Sequence, residues 1–272
     1  MRVAVVGHTE WIDFVRVSHL PAPGEILHAE DAWEEPGGGG AVAAGQLARL
    51  AGECVFVTAF GEGPHGPATR AALQTMGVRV EAALRPTPHR RAITMVTPAA
   101  ERTILVLGDR LGPEAADPIG WDLLDAADAC YFTAGDVHAL HRARRARVLV
   151  ATPRAMETLQ GSGVRLDALV GSAADQGERF DDFDLDPPPR LLVRTEGAKG
   201  GMYGPPGEKP RRFAAAEPPG PPVDAYGCGD SFAAGLTFAL GKGMDDDDAV
   251  AFAARCGAAC LTGRGPYAGQ LR

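Results

Sequence analysis

The sequence predicts an α/β fold: a doubly wound, mostly parallel sheet with helices on both faces, plus a small β-sheet lid. Apolar runs typical of short buried strands alternate with segments of helical spacing along most of the chain, which predicts parallel strands joined by helices. Over residues 90–107 two β-rich runs follow one another with no helix between them, which predicts a hairpin outside that pattern. The 35 glycines among 272 residues, nearly twice the usual share of about 7%, indicate many turns and close backbone contacts.

The first half of the chain begins the main sheet. Its predicted elements are strand 3–6, helix 41–50, strand 55–59, helix 66–76 and strand 78–82. Gly7, Gly52 and Gly77 follow the first strand and the two helices, where glycine commonly ends an element. A strand followed by a helix and another strand favours parallel pairing, because the helix carries the chain back to the starting edge.

Two segments predict the lid, at about 13–35 and 90–107. The first alternates loosely between apolar and polar residues and is broken by two prolines and a glycine, as in a hairpin at a sheet edge. The second contains β-rich runs over 91–97 and 103–107. We expect both segments to form one small sheet, inserted into a single domain that spans residues 1–272.

From residue 121 the alternation resumes and completes the main sheet. The predicted elements are helix 121–126, strand 129–133, helix 136–145, strand 148–151, helix 154–160, strand 168–171, strand 191–195 and helices 231–240 and 245–261. A tract rich in proline and glycine over 205–222 predicts a loop or an irregular hairpin.

Charge and cysteine content exclude several classes of protein. The chain carries 27 basic and 35 acidic residues, a formal net charge of −8, so the basic surface of a nucleic-acid-binding protein is not expected. Five cysteines, an odd number spread through apolar segments, favour reduced thiols over disulfides. The chain opens on a strand-like run without a signal-peptide pattern, and no apolar stretch reaches the ~20 residues of a membrane helix. We therefore expect a soluble, cytoplasmic protein with no nucleic-acid or membrane partner.

The strongest candidate for a functional site is the segment Asp224–Asp230, whose sequence is DAYGCGD. Gly227 and Gly229 lie on either side of Cys228 at the start of a predicted helix, where unpaired backbone N–H groups attract an anion. Asp230 would place a carboxylate beside that anion. From these residues alone, a glycine-rich turn with aspartate as the helix N-cap is the competing interpretation.

Together with the following SFAAG, this segment resembles the D-T-x-G-A-G-D signature of the ribokinase-like carbohydrate kinases, the phosphofructokinase-B group. The early segment VVGHTEWIDFVRVSHLPAPGE is similar to that family's first strand with its sugar-contacting aspartate, and GGGGAVAAGQLARLAG to its glycine-led helix. Further similarities, in the family's order, are ERTILV with the second lid hairpin, VRTEGAKGG with the nucleotide turn and TGRGPY with the C-terminal loop. The resemblance covers nearly the whole chain.

The resemblance implies transfer of the γ-phosphoryl group of ATP to a hydroxyl of a sugar or sugar-like molecule. Asp230 would act as the general base for that hydroxyl. The backbone N–H groups of Gly227, Cys228 and Gly229 would stabilise the negative charge of the moving phosphoryl group. ATP and Mg²⁺ are the implied cofactors, with a monovalent cation as a further candidate. Lid sheets in this family often pair between subunits, which implies a homodimer.

The resemblance also assigns binding residues. On the substrate side they are Asp13, Gly38, Gly39 and Val42, and on the nucleotide side Ser172, Thr195, Gly197, Lys199, Gly200 and Asp224. Asp175 is the candidate metal ligand, at the last position of the stretch that corresponds to the family's N-x-x-E motif. Asp13 as a turn residue and Lys199 as a solvated surface lysine are the competing interpretations.

Three departures from the family pattern affect the expected substrate more than the expected fold. Val42 stands where the family has asparagine and offers no hydrogen bond, Ser172 replaces asparagine in the metal-associated stretch, and Gly61–Gly66 lacks the usual paired aspartates. A nucleoside kinase of the same fold is one alternative, with aromatic residues of the lid as candidates to stack on a base. A kinase-fold protein that binds a ligand without phosphorylating it is the other.

Overall fold

The structure, a computed structural model, describes all 272 residues. Its strands are β1 (Val3–Val6), β2 (Glu10–Arg16), β3 (Asp31–Gly37), β4 (Cys54–Glu62), β5 (Val78–Pro88), β6 (Arg91–Val96), β7 (Arg102–Leu107), β8 (Ala129–Phe132), β9 (Val148–Ala151), β10 (Ala168–Ser172), β11 (Leu191–Thr195), β12 (Gly201–Gly204) and β13 (Arg211–Phe213). Its α-helices are α1 (Gly39–Ala51), α2 (His65–Thr75), α3 (Val137–Ala143), α4 (Met156–Leu159), α5 (Cys228–Gly241) and α6 (Asp246–Cys260). None of these helices has the length and apolar composition needed to cross a membrane.

The main sheet has the strand order β13-β12-β11-β10-β9-β8-β1-β4-β5. All neighbours from β11 to β5 pair in parallel, and only β12 and β13 run antiparallel at one edge, so the predicted doubly wound sheet is confirmed. Val6 pairs with Phe132, and Ser172 with Thr195. Because the carboxyl ends of parallel strands meet at one edge of the sheet, the segments that follow β1, β8, β9, β10 and β11 lie side by side.

Helices cover both faces of the main sheet. On β1, Val3 and Val5 point into the core beneath α1, α5 and α6, whereas Ala4 and Val6 point into the core on the α3 side. This alternation follows from the pleat of a strand, in which successive side chains point to opposite faces. A sheet that is apolar on both faces must be covered on both, as the continuous apolar sequence of the strands predicted.

The lid is a second sheet with the strand order β3-β2-β6-β7. Strands β2 and β6 pair in parallel, and each has an antiparallel neighbour on its other side. The inner face of the lid packs on the main domain through a small apolar cluster, whose members are Ile12, Phe14, Val42, Ala92, Val96 and Tyr226. The opposite side of this sheet is called the outer face below.

Two predicted helices are shorter in the structure. The segment predicted as helix 121–126 is a single 3-10 turn at Trp121–Leu124, and the segment 154–160 is a 3-10 turn at Pro153–Ala155 followed by α4. The first lies in the segment that leads from the lid to β8 and the second between β9 and β10, and both turns are too short for a helix to gain from propagation. In the tract 205–222, β13 pairs with β12 and the rest has no regular structure, in agreement with an irregular hairpin.

Candidate active site

The N-terminus of α5 presents unpaired backbone donors beside the start of α1. Gly227, the N-cap, has a φ of +80°, a left-handed conformation that favours glycine. The N–H of Ser231 donates to the carbonyl of Gly227 at 2.8 Å, but the N–H groups of Gly229 and Asp230 have no acceptor in the chain. Gly229 is exposed, so these donors are accessible. Free N–H groups at the positive end of a helix form an anion site.

Asp230 lies in the first turn of α5 and is partly buried. Burial raises the pKa of its carboxyl to about 7, and the nearby carboxylate of Glu178 adds to this rise, while Arg102 opposes it. A carboxyl group that titrates near neutrality can accept a proton and release it again at physiological pH. The structure therefore places a carboxyl suited to proton transfer beside the anion site.

A glycine turn at Gly38–Gly39 faces this carboxyl. Gly38 is the N-cap of α1 and has a φ of +82°. A Cβ atom built on Gly39 would lie only 2.8 Å from Oδ1 of Asp230. The absence of a side chain at Gly39 thus keeps the space in front of the Asp230 carboxyl open. The structure brings together Asp230 and the two glycines predicted for the substrate side.

Glu10 anchors the lid to this turn. Its Oε2 accepts a hydrogen bond from Nε of Arg90 at 2.9 Å, and its Oε1 accepts one from the hydroxyl of Tyr226 at 3.3 Å. The Tyr226 oxygen in turn accepts the N–H of Gly38 at 3.0 Å. Glu10 is only 6% exposed. A buried ion pair therefore holds the glycine turn in place through one tyrosine.

Asp13 does not reach this site, contrary to the prediction. Successive residues of β2 alternate between faces, and it is Ile12 and Phe14 that point inward toward Val42. Asp13 lies on the outer face of the lid, where its Oδ2 accepts a hydrogen bond from Nη2 of Arg91 at 2.6 Å. Val42 is fully buried in the apolar cluster and has no surface left for a substrate. The substrate-binding roles predicted for both residues are corrected accordingly.

The predicted nucleotide turn follows β11 at the same edge of the sheet. Ser172 and Thr195 are register partners at the ends of β10 and β11, and the exposed turn 197–199 comes directly after. A Cβ built on Gly197 would have no atom within 4 Å, so this turn borders open space. The ammonium group of Lys199 is exposed and forms no ion pair. Gly200, with a φ of +81°, packs against the backbone after β13.

Two carboxylates lie in the loop after β10. Asp175 and Glu178 both contact the guanidinium group of Arg154, and Glu178 also accepts the N–H of Ser172 at 2.8 Å. Glu178, three residues beyond the predicted metal ligand, adds to the effect of burial that raises the pKa of Asp230. No group of three or more metal-ligating side chains is present. One or two carboxylate oxygens nevertheless fit Mg²⁺, which usually keeps its waters and nucleotide phosphates as the other ligands.

Asp224 connects two loops and does not face a cofactor, contrary to the prediction. It is fully buried, and its Oδ1 accepts the N–H of Tyr226 at 2.8 Å while its Oδ2 accepts that of Gly265 at 3.2 Å. Cys228 supplies backbone to the start of α5, but its N–H donates to the carbonyl of Ala225 at 3.5 Å and is not one of the free donors predicted there. The carboxylate of Asp224 therefore supports the shape of the anion site from behind.

Four further residues at this edge were not identified from the sequence: His8, Glu10, Arg110 and Glu178. His8 and Glu10 come just after β1, a position where open α/β sheets commonly contact ligands, so that general rule could have found them. Glu178 is in the same loop as Asp175 and could have been considered with it. Arg110 lies between the lid and β8 in a segment without any recognisable motif.

An anion site at a helix N-terminus, next to a carboxyl that can accept a proton, is what an enzyme needs to transfer a phosphoryl group to a hydroxyl. A doubly wound sheet covered by a small β lid is the ribokinase-like fold. The chain matches the family model of the pfkB family carbohydrate kinases over residues 1–160 and 183–271, and it belongs to that family. The resemblance drawn from the sequence is thereby confirmed, and the protein is a carbohydrate kinase.

Relatives with sequence or structural similarity agree with this assignment. The chain is 28% identical to the acarbose 7(IV)-phosphotransferase of an Actinoplanes species, over 99% of this chain and 95% of the relative. A microbiome-derived acarbose kinase has the same fold, with a TM-score of 0.80, 21% identity and coverage of 99% and 95% of the two chains. The ribokinase of Arabidopsis thaliana, solved with ribose and ATP, gives a TM-score of 0.75 at 21% identity, over 99% and 96%.

Proposed function

We propose that the protein transfers the γ-phosphoryl group of ATP to a hydroxyl of a sugar or sugar-like molecule, with Asp230 as the general base. One observation carries this proposal: a carboxyl with a pKa of about 7 stands beside two backbone N–H groups that have no acceptor in the chain. A purely binding protein has no need for a proton acceptor at an anion site. The family membership supports the same reaction type.

The reaction depends on positioning and charge. An alcohol is too weak an acid to ionise in advance, so Asp230 takes the hydroxyl proton as the bond to phosphorus forms. The free N–H groups of Gly229 and Asp230 stabilise the charge that spreads over the transferring oxygens. The glycine turn at Gly38–Gly39 lets the acceptor approach the carboxyl closely. Each of these groups is held by the backbone, so little reorganisation is required.

The nucleotide side is assigned to the ends of β10 and β11. The open turn 197–199 would receive the base or ribose of ATP, and the ammonium group of Lys199 is free to reach a phosphate. Glu178 and Asp175 would hold Mg²⁺, which neutralises phosphate charge when bound. A monovalent cation and a cytoplasmic location belong to the same proposal, the latter because all five cysteines are free thiols.

The acceptor is proposed to be a carbohydrate and not a nucleoside. The rings of Phe14 and Trp33 stack on each other with centroids 5.0 Å apart, and Trp11 stacks on His65. Trp33 also has the guanidinium group of Arg264 4.2 Å from its ring, and Trp11 lies on the outer face of the lid, so neither ring is offered as a platform for a base. The similarity to an acarbose phosphotransferase makes acarbose and related oligosaccharides the first substrates to examine.

Substrate-dependent formation of ADP tests this function. Wild-type protein with ATP and Mg²⁺ is expected to release ADP with at least one member of a panel of D-ribose, D-fructose, D-glucose, maltose, acarbose and adenosine. The phosphorylated product is identified by mass spectrometry, which separates transfer from ATP hydrolysis. Turnover of adenosine alone would support the nucleoside alternative. Absence of ATP binding in calorimetry at millimolar concentration would refute the kinase assignment.

The outer face of the lid is proposed to pair with a second copy. Leu105 and Leu107 are 55% and 41% exposed, and both lie on this face at the unpaired edge strand β7. Apolar residues on an open strand edge favour association with another sheet. Leu105→Asp is expected to convert a dimer to a monomer in light scattering. Val137→Asp, at a 38% exposed site on α3, is the matched control and should leave the mass unchanged.

A further inference from the structure

His8 is a buried side chain whose free edge faces the glycine turn. It follows β1 at the carboxyl edge of the sheet and is 8% exposed. A Cβ built on Gly38 would lie 3.1 Å from its Cδ2 and 3.2 Å from its Nε2. A Cβ built on Gly39 would lie 3.7 Å from its Cε1 and 2.8 Å from Oδ1 of Asp230. The imidazole and the Asp230 carboxyl therefore border the same small space.

Arg110 fixes the tautomer of this imidazole. Its Nη2 lies 3.0 Å from Nδ1 of His8 and also donates to the carbonyl of Thr133 at 2.9 Å, while its Nη1 donates to the carbonyl of Arg154 at 2.8 Å. A guanidinium group can only donate hydrogen bonds. Nδ1 of His8 must therefore accept, and in the neutral ring the single proton is on Nε2.

Burial, and then the positive charges of Arg110, Arg90 and Arg154, hold the pKa of His8 well below its usual range. The ring is therefore neutral at physiological pH. Its Nε2–H donates to no acceptor in the chain and remains open to solvent in the space beside Gly38 and Gly39. A ligand that displaces water from this space must supply an acceptor, or the donor is left unpaired.

We propose that His8 is a specificity-determining residue, which donates its Nε2–H to an oxygen of the acceptor substrate next to the hydroxyl that is phosphorylated. The identity of that substrate as a carbohydrate rests on the proposed function. A hydroxyl or ring oxygen satisfies the donor, whereas a methylene group leaves it unpaired. An ammonium group has no lone pair to accept the bond and would meet the charge of Arg110 behind the ring. The site thus selects an oxygen at this position against deoxy and amino analogues.

Substrate analogues combined with variants of His8 test this role. His8→Phe keeps the ring volume without a donor, and His8→Gln keeps an N–H near the Nε2 position. On the sugar identified by wild-type turnover, His8→Phe is expected to lower kcat/KM about 10-fold, which is the usual effect of one hydrogen bond. On the one deoxy analogue that lacks the contacted oxygen, the same variant should change kcat/KM less than 2-fold. His8→Gln should recover part of the discrimination between the two sugars.

The change in kcat/KM across the analogues distinguishes a direct contact of His8 with the substrate from a purely structural role. A merely structural histidine would give the same loss with every sugar and its analogues, and that result overturns the proposal. Dissociation constants of the same sugars, measured by calorimetry without nucleotide, give a second readout that does not need turnover. A sugar that binds with His8-dependent discrimination but is not phosphorylated would refute the proposed function and keep this inference. If no sugar binds, this inference fails as well.

Discussion

Replacing Asp230 by asparagine is expected to reduce kcat by about 10²–10⁴-fold, the range usually supplied by one general base. Asparagine keeps the size and polarity of the side chain but cannot accept the hydroxyl proton. The affinity for ATP should change little, because the anion site is made of backbone N–H groups and not of this carboxyl. Initial rates of ADP formation at saturating sugar measure the loss, and calorimetry measures the retained binding of the nucleotide.

The pH profile identifies the same group independently. Because the pKa of Asp230 is raised to about 7, the carboxylate that accepts the proton is the minor form below that pH. The wild-type kcat/KM is therefore expected to fall about tenfold for each pH unit below 7 and to level off above it. The residual rate of Asp230→Asn should lack this transition. A wild-type profile that is flat between pH 5.5 and 8 would contradict the assignment of Asp230 as the base.

Loss of structure cannot account for the expected inactivity of Asp230→Asn. The pKa of Asp230 is higher in the folded chain than the usual value near 3.9, so the protonated carboxyl favours folding. That contribution is fully present below pH ~4 and is lost as the pH rises through about 7. At pH 8 the ionised carboxylate opposes folding, and asparagine removes this effect. The variant should therefore show a Tm equal to or above that of the wild type at pH 8.

The fold was predictable because each buried strand is followed by a segment of different periodicity. Val148–Ala151 and Leu191–Thr195 occur at the predicted positions, since short runs rich in branched apolar residues favour buried strands. The predicted helix at 121–126 was wrong because local spacing cannot reveal how little chain separates it from the next strand. Tertiary packing of Trp121 and Leu124 decides that segment.

The positions of the glycine turns and of Asp230 in the candidate site were also predictable, because tight turns and helix N-termini favour particular residue types. The faces and the contacts of strand side chains were not predictable. Asp13 was placed on the substrate side although the strand starts at Glu10, and a shift of one residue moves a side chain to the other face. His8 and Arg110 are 102 residues apart and meet only through the fold. No local pattern encodes such a pair.

The ion pair between Glu10 and Arg90, which anchors the lid, should contribute more to stability than any other ion pair on β2. Glu10→Ala is expected to lower the free energy of unfolding by about 3 kcal/mol, since it leaves Arg90 buried without a partner charge. The side chains of the pair are only 8% and 17% exposed. Release of Tyr226 should also loosen the glycine turn and raise the KM for the sugar. Urea denaturation and steady-state kinetics measure the two effects.

The neighbouring pair Asp13–Arg91 provides a matched control on β2, because it faces outward and its side chains are 26% and 41% exposed. Asp13→Ala should cost at most about 1 kcal/mol, as solvent screens such pairs. It should also leave the KM for the sugar unchanged, since Asp13 lies across the lid from Asp230. Replacing both members of the buried pair, as Glu10→Leu with Arg90→Met, is expected to recover stability but not the KM. Equal losses of unfolding free energy from Glu10→Ala and Asp13→Ala would show that burial does not make the Glu10–Arg90 pair more important for stability. A rise in KM on Asp13→Ala alone would return Asp13 to the substrate site.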